Sequence, residues 1–314
     1  MRTNQKWTMA MGMCLLMAGA PGLHPQQAKD DSGDQTRGIV AEKFLHTRPS
    51  APPSQTLAKP RYRLVAGGHS VRSAQKSLEL GLTIWRLRPA RKDDDGPRLL
   101  VQSGAETAEW VPERVTLGAP LKVEDNVRIS VESPRTGYLY VADQEQYADK
   151  SLGEPYLIFP TSRTRGGDNK VVPGRLIDIP AQDDAPPYFT LHPSRPGQTG
   201  EILTVVIADQ PLEGIEIGAR AVILSRDVLA RWQELGAGAV QHLEMTGGAG
   251  RPWSRQEQSA GADGARLLTQ TDPPPQTIFR VVTKSPSLLM VQVKLPHGAA
   301  GAAATRQAAS GKPR

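Results

Sequence analysis

From Arg61 onward the chain is cut into short apolar segments, and this cutting restricts the fold more than any other feature. YRLVAG, LGLTIWRLRP, RLLVQ, DNVRISVES, TGYLYVADQ, YLIFP, RLIDIP, YFTL and GEILTVVIA follow one another. They are rich in β-branched and aromatic residues, and most are separated by Pro, Gly, Asp or Asn. Segments of this length with such separators are strands joined by turns. In VRISVES, Val127, Ile129 and Val131 alternate with Arg128, Ser130 and Glu132. In GYLYVAD, Tyr138, Tyr140 and Ala142 oppose Leu139 and Val141. Alternation of period two predicts one face on a core and the other toward water. VRISVES-PRTG-YLYVAD reads as a hairpin with Pro134 and Gly137 in its turn. The expected fold class is mainly β: an antiparallel β-sandwich or barrel-like domain with a smaller α+β C-terminal part.

That C-terminal part spans 210–297. ARAVILS is a strand candidate. SRDVLARWQELGAG reads as a helix capped by Ser225 and closed by Gly236, with Val228, Leu229, Trp232 and Leu235 on one face. AVQHLEM would be the next strand. Ser254 and Glu257 stand at capping-box spacing for a second short helix. TIFRVVT and LLMVQVKL look like a closing hairpin. The remaining divisions are a leader over 1–22, a Pro/Ser-rich flexible linker over 23–60, the β-rich domain over 61–209 and a low-complexity, disordered tail over 298–314. Within the linker, GIVAEKFLH can form one short helix, with Ile39, Val40 and Phe44 on one side.

The leader has the three-part form of a secretory signal. Arg2 and Lys6 precede an apolar run from Trp7 to Ala20, and Ala18-Gly19-Ala20 supplies small residues for cleavage. Cleavage after Gly22 is an alternative, because Pro21 follows Ala20. The run is too short to span a hydrocarbon core of ~30 Å. Retention as an anchor and lipid attachment at Cys14 are rivals, although Met11-Gly12-Met13 is a poor lipid-attachment context. The expectation is an exported protein, periplasmic or secreted, without a membrane span in the mature chain.

Charge and cysteine content narrow the function classes. The net charge is +6, and loss of Arg2 and Lys6 leaves four. Basic residues are interspersed with acids, whereas nucleic-acid binders cluster them on one face, so nucleic acid is not an expected partner. The single cysteine, Cys14, lies in the leader, which excludes a disulfide framework and a thiolate metal site. The six histidines show no metal-ligand spacing, and there is no G-x-S-x-G. No cofactor, metal or catalytic residue is assigned. The glycine cluster Gly247-Gly248-Ala249-Gly250 lacks the Lys-Ser/Thr of a phosphate loop.

The stretch Thr136–Gly174 begins as a strand and then breaks into charge, Gly and Asn. GYLYV, PYLIFP, Asn169 with Val171 and Gly174, Ile179-Pro180 and GEILTVVI occur in an order that resembles domain of unknown function 4384. WVPERV and LKVEDNVRISVESPRTG, just before, fit the same pattern. The resemblance covers about a third of the chain, Trp110 to Ala208. It implies a bacterial β-rich module of exported or envelope-associated proteins, and it carries no activity or catalytic residue.

YLYV and YLIFP would then be neighbouring strands, with DQEQYADKSLGEP connecting them and Gly166-Gly167-Asp168-Asn169 as a second turn. Asp143, Glu145, Asp149 and Glu154 crowd the connection, and a solvated loop is the plain reading. Asp183-Asp184 reads as a solvated pair in a Pro-rich turn. Arg163, Arg165 and Lys170 flank the second turn, where arginine forks suit carboxylates or phosphates. The leading reading is a non-enzymatic envelope module that binds a protein partner or cell-wall polymer through the loop Gln144–Glu154 and the turn Arg163–Lys170. Its candidate binding residues are Tyr147, Arg163, Arg165, Asp168, Asn169 and Lys170. Two rivals are a structural spacer and a hydrolase that uses Asp and Glu. A deep pocket holding carboxyls of displaced pKa would favour the hydrolase.

Overall fold

The computed structural model describes residues 40–51, 63–67, 77–103, 106–262, 266–283, 285 and 287–298. The expected leader, the linker at 23–39 and 52–60, and the tail beyond Gly298 lie outside these residues. Among the described residues fifteen strands make two antiparallel sheets packed face to face, with a few short helices, and neither sheet closes into a barrel. Among the described residues no helix is long and apolar enough to cross a membrane.

The first sheet contains β1 (Arg63–Gly67), β2 (Ser77–Pro89), β3 (Leu99–Ser103), β4 (Glu106–Val115), β5 (Asn126–Glu132), β9 (Leu176–Ile179), β10 (Phe189–Thr190), β13 (Gly238–Thr246) and β14 (Thr277–Thr283). Its order is β1-β13-β14-β2-β4-β3. β5 lies along the other edge of β2, with β9 and β10 beyond it. The second sheet contains β6 (Gly137–Tyr147), β7 (Tyr156–Phe159), β8 (Lys170–Val171), β11 (Gln198–Ala208), β12 (Val222–Ile223) and β15 (Leu288–Pro296). Its order is β12-β7-β6-β11-β15, with β8 also on β6.

The core lies between the sheets and follows strict alternation. Leu80, Leu82 and Ile84 of β2 and Val127, Ile129 and Val131 of β5 face Leu139 and Val141 of β6, Val205 and Ile207 of β11, and Val291 and Val293 of β15. Burying such side chains supplies about 2 kcal/mol each. β6 and β7 are neighbours, as the sequence suggests, with Val141 opposite Phe159. The two expected hairpins are absent. β5 belongs to the first sheet and β6 to the second, and β14 and β15 divide in the same way. Each pair is an arch that crosses between sheets, so its strands meet through side chains instead of backbone hydrogen bonds. The apolar pattern of an arch is the same as that of a hairpin, which is why the sequence did not distinguish them.

The polar face of β5 also departs from expectation. Arg128, Ser130 and Glu132 are buried, not solvated. Arg128 pairs with Asp178 at 2.9 Å, and the Ser130 hydroxyl donates to Asp178 Oδ1 at 2.5 Å. Glu132 receives the fork of Arg48 at 2.6 and 2.7 Å. The remaining Arg48 donors reach the carbonyls of Thr269, Asp272 and Pro273. All five guanidinium donors are thus used, which is what makes a buried arginine tolerable.

Arg48 follows helix α1, residues 40–46, whose Val40, Ala41 and Phe44 are buried. The described part of the expected linker is therefore a packed layer on the outer face of the first sheet. Gly81 of β2 lets it approach, because a Cβ there would lie 2.8 Å from both the Phe44 ring and Pro275.

The C-terminal part is not a separate body. β14 sits between β13 and β2, and β15 completes the second sheet beside β11. Helix α2 (Arg226–Leu235) covers the outer face of the second sheet with Leu229 and Trp232, and Trp232 meets Tyr140 at 5.8 Å. Ser225 caps it as expected, but Leu235 is exposed. Helix α3 (Arg255–Gly261) starts with the full Ser254–Glu257 capping box.

Candidate functional site

The inward face of the second sheet changes character at one end. On β6 it runs Leu139, Val141, Asp143, Glu145, Tyr147. On β11 it runs Ile207, Val205, Leu203, Glu201. In the ladder Glu201 is opposite Glu145, and Leu203 is opposite Asp143. Directly opposed residues have Cβ atoms about 5 Å apart, and diagonal ones about 7 Å. The strand period therefore brings three carboxyls together where the two preceding rows are aliphatic.

These carboxyls line a cavity of about 520 Å³ between the sheets. Ile84, Val127, Ile129, Leu203 and Leu295 form apolar walls, with Ile158, Tyr156 and Phe189 beside them. No lysine or arginine is among its walls. The volume is that of a small-ligand site.

Each carboxyl has a distinct environment. Glu145 Oε2 accepts hydrogen bonds from the hydroxyls of Tyr147 and Ser194, the latter at 2.6 Å. Tyr147 and Ser194 also lie 3.0 Å apart, and the Arg195 guanidinium stacks 3.6 Å from the Tyr147 ring centroid. Glu201 is 8% exposed, and its Oε1 accepts from Gln198 Nε2 at 2.5 Å. Glu201 Oε2 is shielded from water and has no hydrogen-bond partner, and the same holds for Asp143 Oδ1. Burial, with repulsion from Glu145, pushes the Asp143 carboxyl up to about 7. Burial, then repulsion from Asp143 and Glu145, pushes Glu201 up to about 9 against the Gln198 hydrogen bond. Behind them His297 Nε2 lies 3.6 Å from Glu201 Oε1, and burial pushes the imidazole below its ordinary value. Among the described residues no three His, Cys, Asp or Glu side chains converge as a metal site requires.

A second cavity of about 380 Å³ abuts the first, and the two share Ile158, Phe189, Thr190, His192 and Ala221 as walls. Its far end carries Arg163 and Arg220, with Thr161, Thr164 and Asp184. Asp184 Oδ2 is occupied by the Thr164 hydroxyl at 2.6 Å and the Ala181 amide at 2.8 Å.

The structure divides the sequence-selected residues. Tyr147 lines the acidic cavity and Arg163 the second one, where its Nη2 donates to the Ala185 carbonyl at 2.8 Å. Arg165, Asp168, Asn169 and Lys170 are walls of neither. Arg165 and Asp168 pair at 3.3 Å across a 3-10 turn with Gly166 and Gly167 at positive φ. Asn169 Nδ2 donates to the Leu139 carbonyl at 3.0 Å, tying the turn to β6. The Lys170 amide donates to Asp168 Oδ1, and its ammonium lies 6.0 Å from the Tyr138 ring.

The expected loop Gln144–Glu154 is strand up to Tyr147, so Asp143 and Glu145 face inward, while Asp149 is at the surface and Glu154, paired with Arg226, is an exposed wall of the cavity. Sequence reasoning passed over Glu201 altogether. The available signal was the alternation in GEILTVVIA, which puts Glu201 on the same face as Leu203 and Val205.

Comparison of the chain with protein-family models, with curated proteins and with solved structures returned no match.

Proposed function

We propose that this chain is an exported binding module that receives an amino group of a protein partner or cell-wall polymer in the cavity between its sheets. The observation that carries this reading is the cluster of Asp143, Glu145 and Glu201 on the wall of a cavity that is otherwise largely apolar and has no lysine or arginine among its walls. Burying carboxyls without a partner costs several kcal/mol. An ammonium ion supplies both the missing charge and up to three donors. The export pattern in residues 1–22 and the resemblance over Trp110–Ala208 are what support the exported part of this proposal. The surface expected on the loop Gln144–Glu154 gives way to the cavity beneath it, and Tyr147 is the candidate the two readings share.

The test is calorimetric titration of the full chain at pH 7.5 with the tripeptide trialanine and its N-acetyl derivative. The free amine is expected to bind at least tenfold more tightly, and Glu145→Gln with Glu201→Gln removes the difference. Equal binding of the acetylated peptide would overturn the amino-group reading.

A second reading is acid/base hydrolysis. It is favoured by the contrast between Asp143, held protonated up to about 7, and Glu145, whose oxygen takes two hydroxyl hydrogens. Neighbouring carboxyls with such different surroundings can act as acid and base. Release of new chain ends from wall polymer or peptide, abolished by Asp143→Asn, would establish it. Unchanged polymer after prolonged incubation with folded protein would dismiss it.

A further inference from the structure

We infer that the two abutting cavities form one cleft for a short peptide with both termini free, its amine against Glu145 and Glu201 and its carboxylate against Arg163 and Arg220. The inference rests on the amino-group reading of the acidic cavity and adds the other end of the ligand.

The cleft is polarised. One end is walled by four carboxyls, of which Glu154 at the surface is already paired with Arg226, and by no lysine or arginine, and the other holds two arginines. The stretch between them is walled by Ile158, Phe189 and Ala221, which offer contact without charge. Asp184, the one acid at the arginine end, is already engaged by Thr164 and the Ala181 amide. Arg163 spends one nitrogen on the Ala185 carbonyl and keeps the rest of its fork. Arg220 is exposed and makes no hydrogen bond or ion pair among the described residues. A carboxylate is the anion whose geometry matches such forks.

The strand between the two ends sets a lower bound on ligand length. Asp143 is opposite Tyr156 in the β6–β7 ladder, and β7 runs on toward Arg163. The three steps along β7 from Tyr156 to Phe159 cover about 10 Å at ~3.3 Å each. An extended tripeptide spans about the same distance at ~3.3–3.6 Å per residue. A single amino acid would leave one end of the cleft unanswered.

The experiment adds trialanine amide to the two probes above and uses the full chain and an Arg163→Ala, Arg220→Ala variant. With the unaltered chain, amidation is expected to weaken binding about tenfold, the loss of one charge-assisted contact. The double arginine variant should bind free and amidated peptide equally while keeping its preference for the unacetylated amine and its melting temperature. Equal binding of trialanine and its amide to the unaltered chain, with acetylation still harmful, would overturn the two-ended cleft and leave the amino-group reading standing. Indifference to both modifications would overturn both.

Discussion

Glu201 on β11 stands directly across the ladder from Glu145 on β6, and their row closes the inward face that Ile207 and Leu139 begin. Two like-charged side chains opposite one another destabilise a sheet. Here the protein answers by holding protons on Glu201 and Asp143 and by giving Glu145 two hydroxyl donors.

Stability should therefore fall as pH rises from 6.5 to 9. In the unfolded chain carboxyls lose their protons near pH ~4. In the folded chain Asp143 holds its proton up to about 7 and Glu201 up to about 9. The folded state binds more protons across that interval, so the slope of unfolding free energy with pH is negative. His297, held neutral by burial, acts in the opposite sense and only as pH falls below about 6.5. Melting temperatures at pH 6.5, 7.5 and 9 check this. A rise toward pH 9 would contradict the burial of the cluster.

Glu201→Gln imitates the protonated carboxyl. It should flatten the pH dependence between 7 and 9 and raise stability at pH 9 by on the order of 1 kcal/mol, since it removes a buried charge without opening a cavity. Denaturant titrations of both proteins at pH 7 and pH 9 give the comparison.

Amine binding should strengthen from pH 6 to pH 8 and then weaken. Rising pH ionises the carboxyls that receive the ammonium, whereas a peptide amine loses its own proton near ~8. Titrations with trialanine across that range, in buffers of matched ionisation enthalpy, should show proton release on binding at pH 7. Affinity independent of pH would be inconsistent with a charge-paired amine.

Asn169→Ala should lower stability by about 1 kcal/mol, the usual worth of one hydrogen bond, because it frees the Leu139 carbonyl. It should leave peptide affinity unchanged, whereas Arg163→Ala should do the reverse. The two substitutions separate a residue that holds the turn from one that faces the cleft.

Gly81→Ala tests the packed N-terminal layer. The added methyl would press on the Phe44 ring and Pro275, and overpacking of this kind costs about 1–3 kcal/mol. If residues 40–51 were a free linker, the substitution in β2 would be nearly silent. Chemical denaturation of the variant decides between these.

The sandwich was legible because the strands alternate cleanly, as Val127, Ile129 and Val131 do. The assignment of strands to sheets was not, since Val131 and Leu139 look alike whether the chain turns back within a sheet or arches to the other one. The site was half legible. Tyr147 and Arg163 stood out as an aromatic and a fork near a broken stretch. Asp143 and Glu145 were noticed but placed in solvent, because charged residues at the end of a strand ordinarily mark its exit from the core. Glu201 was hidden for the same reason. Only the register between β6 and β11, a contact between segments more than fifty residues apart, brings the three together. Arg48 was hidden behind a Pro/Ser-rich context, and its partners lie far along the chain.

That distance governs the order of assembly. Arg48 closes on Glu132 and on carbonyls beyond residue 268, β1 pairs with β13, and β2 pairs with β14. The earliest packed residues thus wait for nearly the last ones before their guanidinium and backbone groups are satisfied. Such long-range pairing makes folding slower than in proteins built on local contacts. A nascent chain of this design cannot complete either sheet until its C-terminal strands have emerged.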